Sequence, residues 1–311
     1  MLSICIYFAL ITFPTLGNAV SGELAVLATT FPIYQIVRNV AQNRDTVKVD
    51  LMLPGQMGCP HDYALTPQDM QKLAKADILV INGLGMEEFL GAPVKKANLN
   101  IIVINSASGI KETLGYFAEQ DHHHKDMHHE HEHGHHHHAD VNPHLFASPR
   151  MTANLAMNVA AELSKADPNG AAIYFKNAQA YVEVMNKLAD DMAVLGKRLK
   201  NNRVLQPHGV FDYLARDIGL EIVAVMQPHG LEPSASEIML LVSTIKEKRA
   251  GAIFNEPQYP AKVGKTLAQE TGIPVATLDP VATGPENAPL NYYEIVMRQN
   301  MKTLELILGV K

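Results

Sequence analysis

Short apolar runs rich in β-forming residues recur in two series along the chain, and this recurrence limits the fold more than any other feature. Residues 24–28, 47–53, 78–82 and 101–105 read as strands, with helical patterns filling the gaps. After a long interval, residues 204–206, 221–226, 252–255 and 275–278 repeat the alternation. A strand that is apolar almost throughout has no polar face to offer water, so both its faces must be covered. Parallel strands joined through crossover helices meet that demand. The expected fold class is α/β, with two doubly wound parallel-sheet lobes.

The interval between the series is helical. From about Pro149 two helical stretches are split by Asp167-Pro168-Asn169-Gly170, and the second runs over 171–199 with no internal Gly or Pro until Gly196. This predicts one long helix connecting the lobes. Local start signals support the register: Thr66 caps a helix with Pro67 at its first position and Asp69 in its first turn. Ser234-Ala235-Ser236-Glu237 reads as a capping box. The expected organisation is a signal peptide over 1–19, a first lobe over 20–148, a helical connection over 149–200 and a second lobe over 201–311.

Length and composition narrow the function. A chain of 311 residues, 47% apolar and 19% charged, can build two compact lobes. Its net charge of -6 leaves no basic stripe for a phosphate backbone, so nucleic acid is excluded as a partner. Residues 1–19 are apolar and almost uncharged and end Leu16-Gly17-Asn18-Ala19, which resembles a signal core and small-residue cleavage site, although the usual early Lys or Arg is absent. The stretch is short for a membrane span. Only Cys5 and Cys59 occur, and cleavage would leave one thiol and no disulfide. A periplasmic monomer is expected.

Eleven of the fifteen histidines lie between Asp121 and Asp140: His122, His123, His124, His128, His129, His131, His133, His135, His136, His137 and His138. Neutral imidazoles offer lone pairs to borderline metals such as zinc, copper or nickel. The tract is dense in His, Asp and Glu and cannot bury enough surface to offset its ordering entropy, so it reads as a mobile loop over 121–140 with auxiliary, low-affinity metal sites.

The remaining histidines matter by position. His208 follows strand 204–206, His61 lies past strand 47–53, His144 lies beyond the loop leaving strand 101–105, and Asp279 follows strand 275–278. Ligands of open α/β sheets bind in the crevice at the carboxyl ends of the strands, where these four side chains can converge, two from each lobe. Three imidazoles and one carboxylate suit tetrahedral zinc at about 2.0–2.2 Å, and a single negative charge favours zinc over harder cations. Cys59 reads as a small packed residue, although a thiolate there would bind zinc strongly. His229 reads as a surface loop residue. Glu256 either accepts an imidazole N–H or starts a helix. Gly264-Lys265-Thr266 is not a phosphate loop, because its first glycine position holds Tyr259. No His-Glu-x-x-His helix exists, which argues against a zinc hydrolase.

Five motifs spread over the chain carry a resemblance: Pro60-His61-Asp62-Tyr63 with Thr66-Pro67; Asn142-Pro143-His144 leading to Ser148-Pro149; His208 with Phe211-Asp212-Tyr213-Leu214; Glu256-Pro257-Gln258; and Leu278-Asp279-Pro280. In this order they resemble the solute-binding proteins of zinc and manganese ABC importers, the ZnuA, AdcA and TroA type. The resemblance implies two α/β lobes bridged by a rigid helix, with His61, His144, His208 and Asp279 as metal ligands. It implies capture of Zn2+ and delivery to an inner-membrane ABC permease driven by a separate ATPase, with no enzymatic activity. His at the third position, where manganese members tend to carry Glu, points to zinc. The fourth place is open to Asp279, water or a loop histidine. Manganese import, or a periplasmic zinc buffer acting through the His-rich loop, are the alternatives.

Overall fold

The structure, a computed structural model, describes residues 23–60, 63–116, 141–227 and 232–311. The first sheet holds β1 (Leu24–Ala28), β2 (Val47–Leu51), β3 (Ile78–Ile81) and β4 (Ile102–Asn105) in the order β2-β1-β3-β4. The second holds β5 (Arg203–Gln206), β6 (Glu221–Val225), β7 (Ala252–Asn255) and β8 (Val275–Thr277) in the order β6-β5-β7-β8. Every pairing is parallel. The two sheets therefore share one topology, as the repeated apolar series predicts.

Four of the eight strands, β2, β3, β6 and β8, end one or two residues before the apolar run does. Met52 and Leu53 are buried and donate backbone bonds to the carbonyls of Ala28 and Thr29, while the chain already bends away from the strand. Apolar sequence marks burial, and burial continues past the ladder into the loops that form the cleft.

Helix α1 (Phe31–Ala41) crosses from β1 to β2, α2 (Pro67–Lys75) from β2 to β3, and α3 (Gly91–Ala97) from β3 to β4. Thr66 caps α2 as expected: its hydroxyl accepts from the Asp69 N–H at 3.3 Å, and Asp69 Oδ2 accepts from the Thr66 N–H at 2.8 Å. In the second lobe α6 (Asp212–Ile218), α7 (Ala235–Lys248), α8 (Lys262–Thr271) and α9 (Tyr292–Leu308) complete the series. Ser234 and Glu237 form the predicted capping box at the start of α7.

The connection consists of α4 (Pro149–Ala166), which Ser148 caps, and α5 (Ala171–Arg198). At 28 residues, α5 is about 40 Å long. Tyr174, Ala178, Tyr181, Met185, Leu188, Met192 and Leu195 alternate at spacings of four and three, which places them on one buried face. Gly196, the interruption visible in the sequence, has a packing cause: a Cβ there would stand 1.8 Å from the Ile218 carbonyl oxygen, so only glycine lets α5 and α6 meet. The inner faces of both sheets and the helices between them form one continuous apolar core, from Val26 to Leu308. Smaller clusters cover the outer face of each sheet. A core common to both lobes resists wide hinge opening.

The expected signal peptide, His61, the His-rich tract and His229 lie outside the described residues. Among the described residues no helix is long and apolar enough to cross a membrane.

Candidate metal centre

His144 stands at the turn between the first lobe and α4, immediately before the short helix Leu145–Ala147, and is wholly buried. Asn142 holds it from two sides. The Asn142 Oδ1 accepts from the His144 backbone N–H at 2.9 Å and lies 2.7 Å from His144 Nδ1. The Asn142 amide nitrogen donates to the Gly209 carbonyl at 2.6 Å and to Asp212 Oδ2 at 2.9 Å, which fixes the amide orientation. With Oδ1 an acceptor, His144 Nδ1 must carry the proton, and the lone pair resides on Nε2. The loop is braced in turn: Asn82 donates to the Pro143 carbonyl at 3.0 Å, and the buried Glu87 accepts from the backbone N–H groups of Asn82 and Gly83.

His208 leaves the end of β5 and precedes the turn Gly209–Phe211. Its Nδ1 lies 2.9 Å from Oε1 of Glu256, which follows β7 and is buried. Gln258 donates to the other carboxylate oxygen at 2.6 Å. A carboxylate this close to Nδ1 favours a proton there and leaves the lone pair on Nε2. Of the two expectations for Glu256, the structure sets its carboxylate beside the imidazole, and no helix begins at that residue. The His144 and His208 rings lie 5.0 Å apart at 70°, one from each side of the cleft, with Tyr116, Phe146 and Tyr259 around them.

The third group at this point is Cys59. One donor atom from each of Cys59, His144 and His208 lies within 4.8 Å of the others, and among the described residues this is the cluster suited to a metal ion. Cys59 is half-buried and packs against the core, as expected of a small packed residue, and its thiol also reaches this cluster. Its spacing of two residues from His61 was the available signal. Burial, and then the Glu256 charge, push the Cys59 thiol well above its ordinary range.

Asp279 follows β8 but is not one of that cluster. Its Oδ1 accepts from the Val281 N–H at 2.8 Å, and its backbone is clamped by Asn300, which accepts from the Asp279 N–H and donates to its carbonyl. Burial first, and the Glu256 charge as well, push its carboxyl up to about 6. The charge of the buried Glu256 acts on the half-buried Asp279, a repulsion that a nearby cation would relieve.

A family model described as the periplasmic component A of a zinc-uptake complex, ZnuA, matches residues 26–306. The zinc-binding protein AdcA of Streptococcus pyogenes is 29% identical over 299 residues, covering 93% of this chain and 57% of its own length, so the chain spans little more than half of that relative. The high-affinity zinc uptake system protein ZnuA of Bacillus subtilis is 29% identical over 305 residues, covering 96% of this chain and 92% of its own. A crystal structure of ZnuA superposes with a TM-score of 0.75 at 25% identity, over 92% of this chain and 99% of that one. The solute-binding protein FpvC of Pseudomonas aeruginosa, solved with Ni2+, superposes with a TM-score of 0.75 at 26% identity, over 92% and 97%.

Proposed function

Because this chain belongs to the ZnuA family of zinc-uptake components, we propose that it captures Zn2+ in the cleft between its lobes and delivers it to an inner-membrane ABC permease driven by a separate ATPase. The observation that carries the reading is the pairing of His144 and His208: each imidazole is held by a partner at Nδ1, and their donor atoms approach across the cleft. Such bracing is how proteins prepare a histidine for metal. His61 would add the third imidazole, and a carboxylate such as Asp279 would be the expected donor for the fourth place. The protein would act in the periplasm as a monomeric receptor, after removal of residues 1–19, and without catalysis of its own. The eleven histidines of the tract would gather metal weakly and pass it inward.

Nitrogen-rich ligation favours zinc over manganese. FpvC, however, has been solved with Mn2+ as well as Ni2+, so metal identity must be tested directly. Calorimetric titration of protein lacking residues 122–138 should reveal one tight zinc site that manganese cannot occupy and that His208→Ala abolishes. Preferred manganese binding would move the protein to manganese import. Loss of the tight site on deleting the tract would make the tract the functional element.

A further inference from the structure

We propose that the cargo ion in this chain is bound by a thiolate: Cys59 joins His144 and His208 as a direct metal ligand and takes the coordination place that Asp279 would otherwise fill. The inference rests on the receptor reading above and concerns the ligand set of that same site.

Three observations converge. The first is distance. The donor atoms of Cys59, His144 and His208 lie within 4.8 Å of one another. Tetrahedral zinc, with bonds of about 2.0–2.3 Å, needs its donors about 3–4 Å apart, so a contraction of roughly 1 Å closes the three around an ion. Asp279 is not in this group, and one of its oxygens is engaged by the Val281 N–H.

The second is support for the loop bearing the thiol. Gly58 has φ +78°, and a Cβ there would come within 3.1 Å of the Gln258 side chain. The Tyr259 phenol lies beside the same loop, 3.4 Å from where a Cβ on Gly58 would stand. Gln258 also donates to Glu256, the carboxylate that faces His208 Nδ1. The segment Glu256–Tyr259 of the second lobe therefore lies against both His208 and the Cys59 loop of the first lobe. Two donors from separate lobes pack against one segment.

The third is chemistry. Sulfur is a softer donor than carboxylate and biases a site toward zinc or copper(I) and away from manganese. On binding, the S–H bond breaks, the proton passes to solvent, and the sulfur lone pair forms the metal–sulfur bond, with no change of oxidation state.

Cobalt(II) is the probe. It is added to the metal-free protein in a Cys5→Ser background, so that Cys59 is the only thiol. We expect tetrahedral d–d absorption together with a near-ultraviolet sulfur-to-cobalt charge-transfer band. Cys59→Ser should lose the charge-transfer band, while Asp279→Asn keeps it. Zinc should protect Cys59 from iodoacetamide, and Cys59→Ser should weaken zinc by roughly tenfold or more. Tetrahedral cobalt without the sulfur band, with zinc leaving alkylation unchanged, overturns the thiolate while the receptor reading stands. Absence of any tight cobalt or zinc site overturns both.

Discussion

Glu256 Oε1 stands 2.9 Å from His208 Nδ1, with Gln258 on its other oxygen. A carboxylate in that place orients the ring and favours the tautomer whose Nε2 can bind metal. Glu256→Ala should therefore weaken zinc binding by about 10- to 100-fold with the fold intact. Calorimetry beside a circular dichroism spectrum checks both halves of the statement.

Asn142 performs the matching service for His144 and also ties the two lobes, through Gly209 and Asp212. Its loss leaves several buried groups unpaired, each costing about 1–3 kcal/mol. Asn142→Ala should lower stability by about 2 kcal/mol or more in chemical denaturation and weaken zinc binding as well. A variant that binds more weakly at unchanged stability would mean that Asn142 orients the histidine without bracing the lobes.

Asp279 gives a pH signature. Its folded-state carboxyl lies at about 6, above the unfolded value of 3.8. The native state thus holds a proton that the unfolded state releases, and stability falls as pH rises through that window. At neutral pH the metal-free protein carries a penalty of about 2 kcal/mol from this group, allowing for its partial exposure. Asp279→Asn should raise the neutral-pH melting temperature of metal-free protein and flatten its dependence between pH 4 and pH 6, about the range set by the two values. An unchanged pH profile would place Asp279 in water.

Gly196 tests the shared core. A side chain there must displace the Ile218 carbonyl from α5. Gly196→Val should destabilise by about 3 kcal/mol, comparable to overpacking a close helix contact, in thermal melts of the metal-free protein.

The two-sheet fold was legible in the sequence because buried parallel strands write themselves as apolar runs, and Thr66, Ser234 and the 171–199 interval announced their helices. Strand ends were overrun where Met52 and Leu53 stay buried beyond the ladder. His144 and His208 were legible as strand-end histidines, and the structure brings them together. Cys59 was legible only as a thiol near His61, because its approach to His144 and His208 is a contact between lobes that chain order does not encode. The support from Asn142 was equally hidden: an asparagine in a loop motif says nothing of the amide orientation that Gly209 and Asp212 impose.

If the cleft holds the cargo ion, anomalous diffraction at the zinc edge from crystals soaked in one equivalent of zinc will show a single dominant peak between His144 Nε2 and His208 Nε2, about 2.0–2.1 Å from each. A dominant peak within residues 121–140, with the space between those imidazoles empty of anomalous density, would contradict it.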